Sequence, residues 1–468
     1  MKRKKAYFVG IKGVGMTSLA IYLSQKGYQV EGSDVATQFS TDSVLAKYKI
    51  PIKVGFSKKN INKKYDLVVV TGGHDGMKNP EAQWAKELGF KTMMHGQALG
   101  ELMKGKVGIS VAGCHGKTTT AALVASLLTH AGLKPSYAIG TSQINDLGPA
   151  GHFGKGKYLI AEADEYVTCP ETDSTPRFLW QNPKYIILTN IDYDHPDVFA
   201  NLDEVISVYK KFVNNLPPNG ILIACRDDKN VAKILPSVGR PIITYGFSPA
   251  ADYRIRKVYY GDNLSFMKID YHNVELGEYM IKIPGRSNLL NALAASIVGH
   301  SIGISWMEIA QYLKRFTGTR RRFEKVGQYS GVSLYDDYAH HPNEIASTIS
   351  AFRSWFPDRR LVVIFQPHTF SRTKALLSDF AKSLIKADIA IVVDIFPSAR
   401  EEFDSSISSK ILVAEASKYN KNVIYKEDKK QVLSYLADIT SFNDLVVTMG
   451  AGDIYTWKED ITEVLKNQ

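Results

Sequence analysis

The sequence predicts three consecutive α/β domains, and three observations predict them. The chain has 468 residues, about three times a typical domain. Strand-like and helix-like runs alternate nearly throughout, the pattern of mainly parallel sheets covered by helices. Glycine-rich turns follow strand-like runs at 10-GIKGVG-15, 71-TGGHDG-76 and 113-GCHG-116.

The first domain, residues 1–106, opens with the strand 6-AYFVG-10, a glycine turn, the helical run 16-MTSLAIYLSQKG-27 and the strand 28-YQVEGSD-34; 66-DLVVV-70 is a further strand. The central domain, 107–316, begins with the strand 107-VGISVAG-113. It continues through strands in 157-KYLIAEADE-165, 184-KYIILTNID-192 and 220-GILIACRDD-228. Alternation between 253 and 285 predicts antiparallel hairpins, and 288-NLLNALAASIVGHS-301 and 305-SWMEIAQYLKRF-316 predict helices. The third domain, 317–468, has strands in 331-GVSLYDD-337, 361-LVVIFQP-367, 389-IAIVVDIFP-397 and 444-DLVVTMGAGD-453.

Composition narrows the function. Hydrophobic content of 44 % and charged content of 22 % are ordinary for a globular protein. No apolar run reaches the roughly 18 residues of a membrane span, and glycines break the run after the basic start too early for a secretory signal. Cys114, Cys169 and Cys225 have no metal-ligand spacing and form no disulfide framework, so a cytoplasmic setting is expected. The net charge of +11 points to anionic partners. Lys and Arg are dispersed, without a basic module interleaved with aromatics, which favours small polyanions such as nucleotides over nucleic acid.

Gly10, Gly13 and Gly15 lie between strand and helix, where small residues let a pyrophosphate approach the backbone at a helix N-terminus. Asp34 ends the next strand, where a carboxylate commonly meets a ribose hydroxyl. Taken alone, the loop fits a nicotinamide-dependent dehydrogenase, another nucleotide site or a structural turn.

The second loop, 111-VAGCHGKTTTAALVA-125, is more specific, although it is not the usual Walker A loop. Counting back five residues from Gly116 gives Val111, a strand residue. Gly113, Cys114, His115 and Gly116 can wrap phosphate oxygens with backbone amides. Lys117 can reach terminal phosphates, and Thr118, followed by Thr119, can offer a hydroxyl to Mg2+. Two acidic strand ends follow: Glu162, Asp164 and Glu165, then Asn190, Asp192, Asp194, His195 and Asp197. Parallel strands bring such ends to one crevice. Mg2+ prefers oxygen, so His195 is either a ligand or a group that orients a carboxylate. Arginines in 319-TRRRFE-324 and 365-FQPHTFSRT-373 can neutralise phosphoryl charge or clamp a carboxylate. The bland readings are a solvated helix end at 319–324 and a loop pair that binds nothing at 340-HH-341.

In this order, 8-FVGIKGVGM-16, 113-GCHGKTTT-120, 189-TNIDYDHPD-197, 336-DDYAHHPNEI-345, 365-FQPHTFSRT-373, 394-DIFPSARE-401 and 449-MGAGDI-454 resemble the Mur ligase family. These are ATP-dependent amide-forming enzymes of bacterial cell-wall precursor synthesis, and the likeness covers nearly the whole chain. It implies a Rossmann-like N-terminal domain, a central P-loop-like ATPase domain and a Rossmann-like C-terminal domain. It implies phosphoryl transfer from ATP to the lactyl carboxylate of UDP-N-acetylmuramate, then attack by an amine on the acyl phosphate.

Within the family, 365–373 is like the member that adds L-alanine, whereas 165-EYVTCPETDSTPRF-178 is closer to a ligase that recycles a tripeptide. The resemblance further implies Mg2+ on Thr118, Glu162 and His195, with Asn291 on the adenine. It places Arg322 and Asp337 near the nucleotide, and Tyr338, His340, His368 and Arg372 facing the amino acid or the muramyl carboxylate. Gly10, Gly13, Gly15 and Asp34 then hold UDP rather than NAD. Two positions depart from the family's pattern: Ser287 stands where His is usual, and Thr369 where many members have Arg.

Overall fold

The computed structural model describes residues 3–397 and 401–467; residues 398–400 of the run 394–401 lie outside the described residues. Three sheets follow one another along the chain. The first has five parallel strands, Ile52–Val54, Gln29–Asp34, Lys5–Val9, Leu67–Val70 and Thr92–Met94 in spatial order. Val68, Val69 and Val70 are fully buried because helices or the neighbouring domain cover both faces, which is why this strand is a continuous apolar run. Gly10 turns out of the central strand with φ +77°, and a Cβ there would lie 2.4 Å from Thr71 Cγ2.

The second sheet has ten strands. Its parallel centre runs Ile242–Gly246, Ile221–Cys225, Tyr185–Leu188, Val107–Ala112, Tyr158–Ala163 and Ser136–Ile144. An antiparallel meander, Tyr253–Gly261, Leu264–Tyr271 and Val274–Ile281, extends one side, as the alternation predicts. Gly148–His152 closes the other edge, antiparallel to its neighbour. Val107–Ala112 sits between Tyr185–Leu188 and Tyr158–Ala163, in parallel with both. The phosphate loop and both acidic strand ends therefore leave the sheet at the same edge. Helices Lys117–His130 and Arg286–Ser301 cover this sheet with Leu123, Leu127, Leu293 and Ile297 in its core.

The third sheet has six strands, with Glu324–Tyr329 antiparallel and Val332–Asp337, Leu445–Met449, Leu361–Phe365, Ile389–Val392 and Val423–Tyr425 parallel. Residues 319–323 form no helix. Thr319 instead bridges to Ile144 and Arg322, and Arg321 and Phe323 adopt positive φ, so the solvated helix end is replaced by a tight link between sheets.

The first two domains dock through small residues. The helix Val14–Gln25 lies on Ser136–Ile144 and Gly148–His152, and Ser18 Oγ donates to Ile139 O at 2.7 Å. A Cβ on Gly151 would come within 1.9 Å of Ser18 O, and one on Gly100 within 2.2 Å of Trp180 O. The third domain makes polar contacts with both others: Ser287 Oγ with Ser347 Oγ at 2.9 Å, Trp355 Nε1 to Ser265 Oγ at 3.0 Å, and Tyr455 Oη to Gln38 O at 3.2 Å.

Gly100 lies in the helix His95–Met103, where alanine would ordinarily stabilise by about 1 kcal/mol. The collision with Trp180 O reverses the sign. Gly100→Ala is expected to lower the unfolding free energy by about 1–3 kcal/mol in urea titrations. A variant at least as stable as the parent would show that this contact does not fix the docking.

Candidate active site

The phosphate loop is held by the next strand end. Asn190 Oδ1 accepts the His115 N–H at 2.9 Å, while Asn190 Nδ2 and Thr189 Oγ1 donate to His115 O at 2.9 and 2.7 Å. Gly113 (φ +130°) and Gly116 (φ +80°) leave no room for a side chain: a Cβ would lie 2.0 Å from Thr189 Oγ1 and 2.8 Å from Asn291 Oδ1 respectively. Lys117 starts the following helix and its Nζ donates to Gly113 O at 2.6 Å and to Glu165 Oε2 at 3.0 Å. Burial alone would lower its proton affinity, but Glu165 and Asp164 outweigh burial and raise it, so Lys117 stays charged. Cys114 is buried, with the Asp192 N–H donating to its Sγ at 3.2 Å. Burial pushes its thiol well up, which keeps it protonated and unreactive.

The acidic strand ends divide into two positions. Glu162 accepts the Gly140 N–H at 2.7 Å; burial raises its carboxyl, and Gly140, Lys117 and Thr118 oppose that rise. Beyond Ala163 the strand ends, and Asp164 and Glu165 turn toward His195. His195 Nε2 lies 3.7 Å from Glu165 Oε1, and the ligand atoms of Asp164, Glu165 and His195 all fall within 4.8 Å of one another. The compact group around His195 thus contains Asp164 and Glu165, whereas the expected trio joined His195 to Thr118 and Glu162. Arg177 Nη1 donates to Asp164 Oδ2 at 2.6 Å.

From the third domain, Asp337 accepts N–H groups of Phe323 at 2.7 Å and Ala339 at 2.8 Å. Burial lifts its carboxyl to about 6 against the opposing charge of Arg322. Arg322 pairs with Glu344 at 3.5 Å and stacks on Tyr338 at 5.0 Å. His340 Nδ1 sits 3.0 Å from Tyr338 O, and burial lowers its pKa to about 4; burial lowers that of His368 to about 3. Both imidazoles are neutral near pH 7.

Arg372 departs from expectation. It is 4 % exposed, its Nε and Nη2 donate to Asp194 Oδ1 at 3.0 and 2.8 Å, and Nη1 donates to His368 O at 2.7 Å. Its donors hold the loop that carries His195, a contact that the motif alone does not imply. Thr369 caps the helix Phe370–Ala375, accepting the Arg372 N–H at 3.4 Å.

A cleft of about 370 Å³ opens between the central and third domains, lined by His115, Gly116, Thr119, Asn291, Arg322 and Asp337 among others. Glu344 is the member that motif reading left without a role. Its carboxylate accepts the His340 N–H at 3.1 Å and stands 3.5 Å from His115 Nδ1 and from Arg322 Nη1. It lies within the quoted run 336–345, but only the fold brings His115 and Arg322 to it.

In the first domain Asp34 is 1 % exposed; it accepts N–H groups of Lys12 at 2.7 Å and Val35 at 2.8 Å. It therefore fixes the glycine loop from beneath. Gly15 lies against His95, 3.1 Å from its ring to a built Cβ, while Gly13 keeps ordinary φ at the start of the helix. Burial, then the Arg177 charge, holds His95 neutral with a pKa of about 4.

Three α/β domains in tandem, the middle one carrying a charged phosphate loop under a cleft shared with the third, define an ATP-dependent ligase. Residues 5–107 match the Mur ligase family catalytic domain, 111–299 the Mur ligase middle domain, and 321–452 the Mur ligase glutamate ligase domain. The chain belongs to the Mur ligase family.

It is 40 % identical over 450 residues to a UDP-N-acetylmuramate–L-alanine ligase of Desulfitobacterium hafniense, covering 96 % of this chain and 97 % of that one. It is 38 % identical over 465 residues to the protein of the same name in Caldanaerobacter subterraneus, covering 99 % and 98 %. Among solved structures, a UDP-N-acetylmuramate-alanine ligase from Thermotoga maritima superposes with a TM-score of 0.80 at 26 % identity over 98 % of each chain. A murein peptide ligase from Psychrobacter arcticus shares the fold, with a TM-score of 0.74 at 22 % identity over 99 % of each.

Burial disfavours charge on His115, but Asp192 and Glu344 outweigh it and raise its pKa to about 9. The folded value exceeds the ordinary value of about 6.5. The stabilisation is therefore complete below about 6.5 and is lost as pH rises through about 9. Denaturant titrations should show that loss between neutral and alkaline pH, and Asp192→Asn should flatten it; an unchanged slope in the variant would contradict the charge assignment.

Proposed function

We propose that this protein joins L-alanine to the lactyl carboxylate of UDP-N-acetylmuramate with cleavage of ATP to ADP and phosphate, a step in peptidoglycan precursor synthesis. The observation that carries the reading is the charged loop, Lys117 over Glu165, opening on a cleft whose other wall is Arg322 and Asp337 of the third domain. End-to-end similarity to ligases of that name gives the substrates.

A free carboxylate is a poor acylating agent and must first receive a good leaving group. Phosphoryl transfer depends on positioning and charge neutralisation more than on covalent chemistry by the protein. The amides of Gly113–Gly116 and the Lys117 ammonium neutralise phosphate oxygens; Asn291, beside Gly116, reaches the adenine side of the cleft, and Arg322 approaches the transferred group from the third domain. Thr118, Glu162, Asp164, Glu165 and His195 are the residues that would hold Mg2+. Their fit is chemical, since oxygen donors dominate and burial leaves Glu162 in need of a cation.

Mg2+ there would offset charge on the phosphate oxygens. His340 and His368, both neutral, avoid repelling an incoming ammonium group and can accept its hydrogen bonds. The third domain keeps water from the acyl phosphate. Gly10, Gly13 and Gly15, held by Asp34, bind the UDP end.

A cytoplasmic setting agrees with these substrates and with Cys114, Cys169 and Cys225 being unpaired. Among the described residues, no helix is long and apolar enough to cross a membrane.

ADP release should be measured with ATP, Mg2+ and UDP-N-acetylmuramate, adding L-alanine, L-serine, glycine or a cell-wall tripeptide in parallel. L-alanine should give the strongest turnover, and Lys117→Ala should lower it by about 10²–10³-fold. Turnover with the tripeptide alone would move the assignment to peptide recycling, and no ADP with any donor would overturn the ligase reading.

A further inference from the structure

The hairpin Val167–Cys169 and Asp173–Pro176 belongs to the central domain but lies on the first. A Cβ built on Gly72 would stand 2.9 Å from Thr168 O, and one on Gly76 would stand 2.3 Å from Cys169 Sγ. Lys78 pairs with Glu171 at 2.6 Å across the same seam. Arg177 follows the hairpin and enters this seam with its side chain 22 % exposed.

Two of its three guanidinium nitrogens are engaged within the central domain. Nε donates to Val167 O at 3.1 Å and Nη1 to Asp164 Oδ2 at 2.6 Å, while Cζ lies 5.2 Å from the Tyr166 ring centre. These contacts fix the plane of the group. Nη2 has no acceptor among the described residues and is not buried from solvent. It faces the turn 71–76, 3.0 Å from a Cβ built on Gly72.

Both first-domain segments that Arg177 touches are themselves packed on the glycine loop 10–15. Thr71, next to Gly72, lies against Gly10, its Cγ2 2.4 Å from a Cβ built there. Arg177 Cβ lies 3.3 Å from a Cβ built on Gly96, and the adjacent His95 packs on Gly15. The open corner of the guanidinium therefore borders the loop from the central-domain side.

The loop has no free cation of its own. Lys12 is 7 % exposed; its Nζ donates to Val35 O at 3.0 Å and Thr37 O at 2.9 Å and stands 3.4 Å from Asp42. Burial holds His95 neutral, and His74 stands 3.5 Å from the buried Asp34. The helix Val14–Gln25 has no side-chain cap, so its first N–H groups are open to an anion. Their partial charge of about half a unit does not balance two phosphates.

We propose that Arg177 binds the diphosphate of the sugar nucleotide, supplying from the central domain the charge that the first domain's loop lacks. A guanidinium gives phosphate oxygens short, charge-assisted hydrogen bonds. With Nη1 on Asp164, one side chain spans from the diphosphate to the acidic group beside Lys117. The identity of the anion rests on the function proposed above.

The full chain is titrated calorimetrically with UDP and with uridine, in excess ADP and Mg2+ so that the central loop is filled. Arg177→Gln should weaken UDP binding by about tenfold or more and leave uridine binding within about twofold. KM for UDP-N-acetylmuramate should rise by a similar factor with KM for ATP unchanged, and Arg177→Lys should recover part of the loss. In the parent protein, phenylglyoxal should label Arg177, and UDP but not uridine should protect it; this measurement needs no variant to fold.

No UDP binding by the parent, or labelling that UDP does not block, would overturn the proposal. So would an equal loss of UDP and uridine affinity in Arg177→Gln, which would make the side chain a support of the seam. Unchanged UDP binding with weakened UDP-N-acetylmuramate binding would also overturn it, by moving the contact to the muramyl carboxylate. UDP binding that depends on Arg177, in a protein that releases no ADP, would support the proposal and remove the ligase reading. Normal ADP release with parent-like UDP affinity in Arg177→Gln would do the reverse.

Discussion

Beneath the phosphate loop, a half-buried lysine and a buried glutamate hold one another, and the charged groups of the site are arranged around that pair. Glu165 is 1 % exposed and takes the Lys117 ammonium on one side, with His195 on the other. His195 follows Asp194, which accepts two hydrogen bonds from Arg372, and Arg372 also donates to the carbonyl of His368. Hydrogen bonds and ion pairs thus run from the loop across the domain boundary. Removing one member of a buried pair costs about 3–5 kcal/mol, because the other is left without a partner. The same arrangement keeps Lys117 charged where burial would favour its neutral form.

A second path reaches the loop from the first domain. His95 lies against Gly15 of the glycine loop, Gly96 lies against Arg177, and Arg177 donates to Asp164 beside the Lys117–Glu165 pair. The segment carrying Arg177 follows the hairpin Val167–Cys169 and Asp173–Pro176, within the run 165–178 that is closer to the tripeptide-recycling ligase. This run therefore sits between the two glycine loops. Tyr166 lies in it, donating to Asp197 Oδ2 at 2.7 Å with its ring against His195.

The loop glycines, Lys117, the acidic strand ends and most long parallel strands were legible because each has a local signature: a residue type forced by φ, or an apolar run forced by burial on two faces. Short strands such as Ile52–Val54 and Val423–Tyr425 were not, since three residues carry no periodicity. Asp34 and Arg372 show the limit for side chains. Their types and positions suit ligand contact, but the hydrogen-bond partners they find are set by the folded chain: Asp34 accepts from Lys12 and Val35, and Arg372 donates to Asp194. The partner of Arg372, Asp194, lies 178 residues away. Glu344 went unassigned for the same reason, because its importance comes from His115 and Arg322 converging on it only in the folded chain.

The first and central domains meet backbone against backbone, with Gly151 on Ser18 and Gly100 on Trp180. The third domain meets them through hydroxyls, an indole N–H and charged groups, such as Ser287 with Ser347 and Tyr455 with Gln38. The hydroxyl contacts exchange readily with water, whereas the first kind leaves no gap for water to enter. The seam between the first and central domains is therefore spaced by main chain, whereas the third domain is pinned by a buried ion pair, Arg372 with Asp194, amid contacts that water can replace.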